Sequence, residues 1–122
     1  MSYQLSICAS FHAEHALLLK GEREPLHAHT WQVTATVSGP SLDEDGLLCD
    51  FHDLETLLQR IVAPFDHGNL NRIPPFDAHN PSAELVARHI AQQMAHQLPQ
   101  GISLESVSVT EAPGCTATYR PA

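Results

Sequence analysis

The sequence predicts an α+β fold in which two helices cover one face of an antiparallel sheet, in the order β-β-α-α-β-β. Three observations lead there. Apolar and polar residues alternate with period two at both ends of the chain, apolar residues recur with helical period in two central segments, and turn-forming residues separate these stretches. At 122 residues and 43% hydrophobic, the chain is long enough for one domain with one core, spanning 1–122.

Residues 3–12 alternate well enough to form a first strand. From Trp31 to Ser38 the alternation is cleaner, with Trp31, Val33, Ala35 and Val37 on one side and Gln32, Thr34, Thr36 and Ser38 on the other, until Gly39-Pro40 stops it. Asp43-Glu44-Asp45-Gly46 reads as a turn. Asp50 then caps a helix whose Leu54, Leu57, Leu58, Ile61 and Val62 form one apolar stripe, ended by Pro64. Segment 65–80 has no periodicity and reads as a long loop of the functional kind. Asn80 is expected to cap the second helix, with Pro81 at its first position, Glu84 in its first turn, and Leu85, Val86, His89, Ile90 and Met94 inward. Strands follow at 105–110 and 115–120, turned at Pro113-Gly114. The helices cover one sheet face; the other is expected to be buried by oligomerisation.

A formal charge of −8 argues against a nucleic-acid partner, because phosphate backbones call for a basic face. No stretch approaches the roughly 18 apolar residues of a membrane span, and Met1-Ser2-Tyr3-Gln4 opens no secretory signal. Three scattered cysteines, Cys8, Cys49 and Cys115, suit a reducing cytoplasm rather than a disulfide framework.

The residues with metal chemistry lie in Phe11-His12-Ala13-Glu14-His15 and Leu26-His27-Ala28-His29. On an extended strand, His27 and His29 point to the same side, and a strand running back through His27 places both at the end of the face that carries Val33 and Val37. His15 or His12 from the first strand would complete a three-nitrogen set. Three protein ligands with an open fourth position is how catalytic zinc is held. Nine histidines in 122 residues also cluster by chance, so this pattern alone does not decide.

Further short motifs occur in order: Asp50-Phe51, Phe65-Asp66-His67 followed by Leu70-Asn71, Asn80-Pro81-Ser82 with Glu84, and Glu111. Together with the histidine motifs they make the chain resemble, along essentially its whole length, the 6-pyruvoyl-tetrahydropterin and 6-carboxytetrahydropterin synthase family. The resemblance implies the tunnelling fold, a four-stranded antiparallel sheet with two helices on one side. In the oligomer three sheets close into a barrel, and two trimers stack into a homohexamer. It implies zinc at His15, His27 and His29, with His12 facing elsewhere. It also implies a small dihydropterin substrate such as 7,8-dihydroneopterin triphosphate.

Within that resemblance, Asp66-His67 is a catalytic pair in which a carboxylate orients a histidine; read alone, Asp66 caps a turn and His67 is solvated. Glu111 shares parity with Val107 and Val109, and its carboxylate matches the two adjacent N–H donors of a pterin edge, with Thr110 adding a hydroxyl. The match breaks at the usual catalytic cysteine, four residues before His27, where this chain has Arg23. Its neighbour Glu24 resembles the glutamate that serves as base in a branch of the family cleaving the dihydroneopterin side chain to 6-hydroxymethyl-dihydropterin, a folate precursor. Arg23 is a fixed cation that could attract a substrate phosphate. The first expectation is a zinc-dependent lyase of the 6-carboxytetrahydropterin or 6-pyruvoyl-tetrahydropterin synthase type, feeding queuosine synthesis. The alternatives are side-chain cleavage with Glu24 as base, and an inactive pterin-binding paralogue.

Overall fold

The structure is a computed structural model and describes residues 2–121. Two long strands, β1 (Tyr3–His15) and β4 (His27–Gly39), form its spine, joined through a small hairpin of β2 (Leu18–Leu19) and β3 (Glu22–Arg23). Helix α1 (Phe51–Val62), the short strand β5 (Gly68–Asn69), helix α2 (Ala83–Ala95) and strands β6 (Ser103–Ala112) and β7 (Cys115–Tyr119) complete it. The main sheet runs β5-β1-β4-β6-β7. Four of its strands are antiparallel neighbours, as the sequence predicts.

Strand alternation sorts the side chains cleanly. Ile7, Phe11, Trp31, Val33, Ala35, Val37, Val107 and Val109 are buried under the helices. Helix α1 adds Leu54, Leu57, Leu58 and Val62, and α2 adds Val86, Ala87, Ile90, Ala91 and Met94. Trp31 is the centre of the core: Phe11 stacks on it at 5.7 Å, and its indole N–H donates to the Ala13 carbonyl at 3.2 Å. That bond satisfies the one polar atom a buried tryptophan brings with it.

The opposite sheet face is polar and lies exposed in the single chain. It carries hydroxyls paired across strands, Ser6 with Thr36 at 2.9 Å, Ser108 with Thr118 at 2.7 Å and Thr110 with Thr116 at 2.7 Å. Such a face is compatible with water in the single chain.

Two local expectations are corrected. The cap of α2 is Ser82, whose hydroxyl accepts from the Leu85 N–H at 3.2 Å, and not Asn80, whose carboxamide is bonded to Leu18 instead. Segment 65–80 is more ordered than an aperiodic loop. A 3-10 turn at Ala63–Phe65 leads into it, another lies within it at Leu70–Arg72, and between them β5 pairs in parallel with Ala13 and Glu14. A Cβ at Gly68 would crowd the Ile73 side chain at 2.8 Å and the Phe65 carbonyl oxygen at 3.3 Å. Among the described residues, no helix is long and apolar enough to cross a membrane.

Candidate functional site

The β1–β4 register determines where the histidines meet. All thirteen residues of β1 pair with β4, from Tyr3 opposite Gly39 to His15 opposite His27, with Ala13 opposite His29. Directly opposed residues have Cβ atoms about 5 Å apart, so His15 and His27 are neighbours by construction and His29 is the diagonal one. Their ring centroids lie 4.6, 5.3 and 4.7 Å apart for the pairs 15–27, 15–29 and 27–29. On β6, Glu111 lies two residues beyond Val109, which pairs with Val33, and so reaches the same end of the same face. One ligand atom from each of His15, His27, His29 and Glu111 falls within 4.8 Å of all the others. Trp31 lies below the group, edge-on to His15 at 4.8 Å and to His29 at 6.0 Å. The core tryptophan is therefore also the floor of the site.

The hydrogen bonds select the tautomers. Nδ1 of His15 lies 2.8 Å from the Pro81 carbonyl oxygen, and Nδ1 of His27 lies 2.9 Å from that of Pro25. A carbonyl only accepts, so each Nδ1 carries the proton and each Nε2 presents a lone pair toward the cluster. This outer-shell support is the usual one for a metal-ligating imidazole. His15 is wholly buried, and its Nε2 has no hydrogen-bond partner. The Glu111 carboxylate oxygen lies 2.5 Å from that Nε2, close enough to count as an ion pair for a charged ring. With the proton on Nδ1, it is instead a lone pair facing an anion, an arrangement that calls for a cation. Burial pushes the His29 pKa down, opposed by the nearby Glu111 and helped by His27 and His15. These side chains form a donor set suited to a divalent metal ion.

Glu24 also reaches the cluster. One of its carboxylate oxygens lies 3.8 Å from His27 Nε2 and accepts the Leu17 N–H at 2.9 Å. The remaining residues singled out by sequence are elsewhere in the chain. Thr110 lies on the hydroxyl-bearing face, paired with Thr116, because it is one residue out of phase with Glu111. Arg23 is exposed and lines a separate cleft of about 260 Å³ with Asp77, His79 and Asn80, none of them a cluster residue. Asp66 and His67 lie at the β5 edge. The Asp66 carboxylate accepts the His12 N–H at 2.9 Å, which holds its pKa below the ordinary carboxylate value. It is 3.6 Å from His67 Nε2, without a hydrogen bond to that ring, so it braces β1 rather than orienting the histidine. His67, 78% exposed, shares with His29 a cleft of about 340 Å³. His12 faces away from the cluster, bonded through Nδ1 to Thr30 at 2.9 Å. The supporting carbonyls of Pro25 and Pro81 have no side-chain signature and were not legible in the sequence. The meeting of Glu111 with the histidines needed the β4–β6 register, which pairs Val33 with Val109 and which parity alone does not give.

Comparison with known proteins agrees with this geometry. The family profile described as 6-pyruvoyl tetrahydropterin synthase matches residues 4–122. The dihydroneopterin monophosphate aldolase of Pyrococcus furiosus is 34% identical over 103 residues, 84% of each chain. The 6-carboxy-5,6,7,8-tetrahydropterin synthase of Bacillus subtilis is 32% identical over 79% of this chain and 68% of that one. The 6-pyruvoyl tetrahydropterin synthase of Caenorhabditis elegans shares the fold with a TM-score of 0.86 at 19% identity, covering 100% of this chain and 97% of that one. A histidine set built on one strand register, in a chain matched almost end to end, makes this protein a member of the 6-pyruvoyl tetrahydropterin synthase family, enzymes that act on pterins.

Proposed function

We propose that this chain is a zinc-dependent pterin lyase that cleaves the side chain of 7,8-dihydroneopterin, free or as a phosphate ester, to give 6-hydroxymethyl-7,8-dihydropterin. The observation that carries this reading is the position of Glu24. Where the family usually has a cysteine this chain has Arg23, directed to another cleft, while the adjacent carboxylate stands 3.8 Å from a cluster nitrogen. The relative from Pyrococcus furiosus, an aldolase by name, supports the same branch.

Zinc held by His15, His27 and His29 would supply a Lewis acid for charge developing on the side-chain oxygens. Glu24 accepts the proton of the 2′-hydroxyl as the C1′–C2′ bond breaks. The bonding pair passes to C1′, conjugated with the ring imine, and the proton taken up by Glu24 is returned to C1′. Carbons 2′ and 3′ leave as glycolaldehyde or its phosphate. Glu111 holds the amino and N–H edge of the pterin ring, since a catalytic site keeps its fourth metal position for substrate. His67 is assigned to proton transfer at the cleft it shares with His29, with Asp66 bracing the adjoining strand, and Arg23 and Thr110 to substrate contacts made in an assembled homohexamer. The unpaired cysteines suit the cytoplasm.

A second reading is supported by the relative from Bacillus subtilis: conversion of 7,8-dihydroneopterin triphosphate to 6-carboxytetrahydropterin. Product analysis separates the two. The zinc-loaded protein is expected to form 6-hydroxymethyl-dihydropterin from dihydroneopterin or its monophosphate, and Glu24→Gln to abolish this while zinc and pterin still bind. Formation of 6-carboxytetrahydropterin alone would transfer the assignment to the second reading. Turnover of neither compound would mark a binding paralogue.

A further inference from the structure

Glu24 lies just beyond β3 and is not held by a strand ladder of its own. It closes the base of the β2–β3 hairpin, where its N–H donates to the Leu17 carbonyl at 2.9 Å and its carboxylate accepts the Leu17 N–H at 2.9 Å. Leu17 thus grips both ends of Glu24. Yet Ala16 and Leu17 lie between β1, which ends at His15, and β2, which starts at Leu18, so no strand ladder holds them. Two asparagine side chains do so instead. Asn71 accepts the Ala16 N–H through Oδ1 at 2.8 Å and donates through Nδ2 to the Ala16 carbonyl at 2.8 Å. Asn80 repeats the pattern on Leu18, at 2.8 and 3.0 Å.

We infer that Asn71 and Asn80 are positioning residues, a pair of carboxamide clamps that substitute for a missing neighbour strand and thereby aim the Glu24 carboxylate at the metal cluster. Ala16 and Leu18 alternate with Leu17, so their N–H and C=O groups leave one edge of the segment while those of Leu17 leave the other. One edge is paired to the two clamps and the other to Glu24. A carboxamide has one donor and one acceptor side by side, which is what one residue of a strand presents. The clamps are themselves anchored. The Asn71 N–H donates to Asn69 Oδ1 at 3.0 Å, its neighbour Leu70 is fully buried, and Pro81, next to Asn80, holds His15 through its carbonyl. A single loop therefore fixes a metal ligand and the support of the base together.

This inference rests on the assignment of Glu24 as base, and its test keeps the two apart. In Asn71→Leu, which preserves size and removes both bonds, kcat should fall by about 10- to 100-fold with KM little changed, the scale expected from a small misplacement of a reacting group. Asn71→Asp, which keeps the acceptor for the Ala16 N–H, should lose less. Amide exchange of Leu17 in the zinc-loaded protein reads the clamp without turnover and should quicken in Asn71→Leu. It should also quicken in Asn80→Ala, whose more exposed clamp can be removed without opening the core. Unchanged Leu17 exchange in both variants, or full kcat in Asn71→Leu, would overturn the inference. Full activity of Glu24→Gln would instead defeat the base assignment, with the clamp still decided by exchange.

Discussion

Zinc is expected to raise the melting temperature of this chain by about 10 °C at a free concentration about 100 times its dissociation constant. The magnitude follows from linkage: a ligand at about 100 Kd that binds only the folded state stabilises it by about 2.7 kcal/mol. Unfolding entropy of about 2.1 cal/mol/K per residue gives 122 residues about 0.26 kcal/mol/K, so each kcal/mol is worth about 4 °C. The informative variant is His29→Ala, because His29 is partly exposed and its loss leaves the core intact, unlike that of the fully buried His15. Loss of one of three ligands should weaken binding about 100-fold or more. At the same zinc concentration the stabilisation then drops to about 0.4 kcal/mol, a shift under about 2 °C. Glu111→Gln should keep most of the wild-type shift, since Glu111 is assigned to the pterin and not to the metal. Differential scanning fluorimetry of chelator-stripped protein titrated with zinc measures all three. Equal shifts in wild type and His29→Ala would refute the metal centre. A Glu111→Gln shift as small as that of His29→Ala would make Glu111 the fourth ligand and close the site to substrate.

Two further predictions concern the scaffold. Ser82→Ala should destabilise the protein by about 1 kcal/mol in urea titrations, the typical cost of an N-cap hydroxyl, and an unchanged midpoint would return the cap of α2 to Asn80. His89 packs against the rings of Phe65 and Phe76 at 5.7 and 5.5 Å, and burial holds its pKa below the ordinary 6.5. The unfolded chain therefore binds this proton more readily than the folded one. The stability contributed by His89 is present above pH 6.5 and is lost as pH falls from there through the lower folded value. His89→Gln should flatten that part of the stability–pH curve, and an unaltered slope would contradict this.

The outline of the molecule was legible from periodicity. Strand alternation separated Trp31, Val33, Ala35 and Val37 from the threonines, and the stripe from Leu54 to Val62 defined α1 with its Asp50 cap. Parity also put His27, His29 and Glu111 on the face that became the core. Periodicity assigns a residue to a face and does not say what lies opposite. That His15 meets His27, and that Glu111 joins them within one chain, required the β1–β4 and β4–β6 registers. Segment 65–80 was opaque because its order comes from the pairing of β5 with β1 and from carboxamides spent on the backbone of Ala16 and Leu18. The same contacts took Asn80 away from its expected cap. Residue types and their spacing determined which chemistry the chain holds. The pairing of strands, and backbone carbonyls with no residue-specific signal, decided which of those groups stand together, since such contacts join positions far apart in the chain.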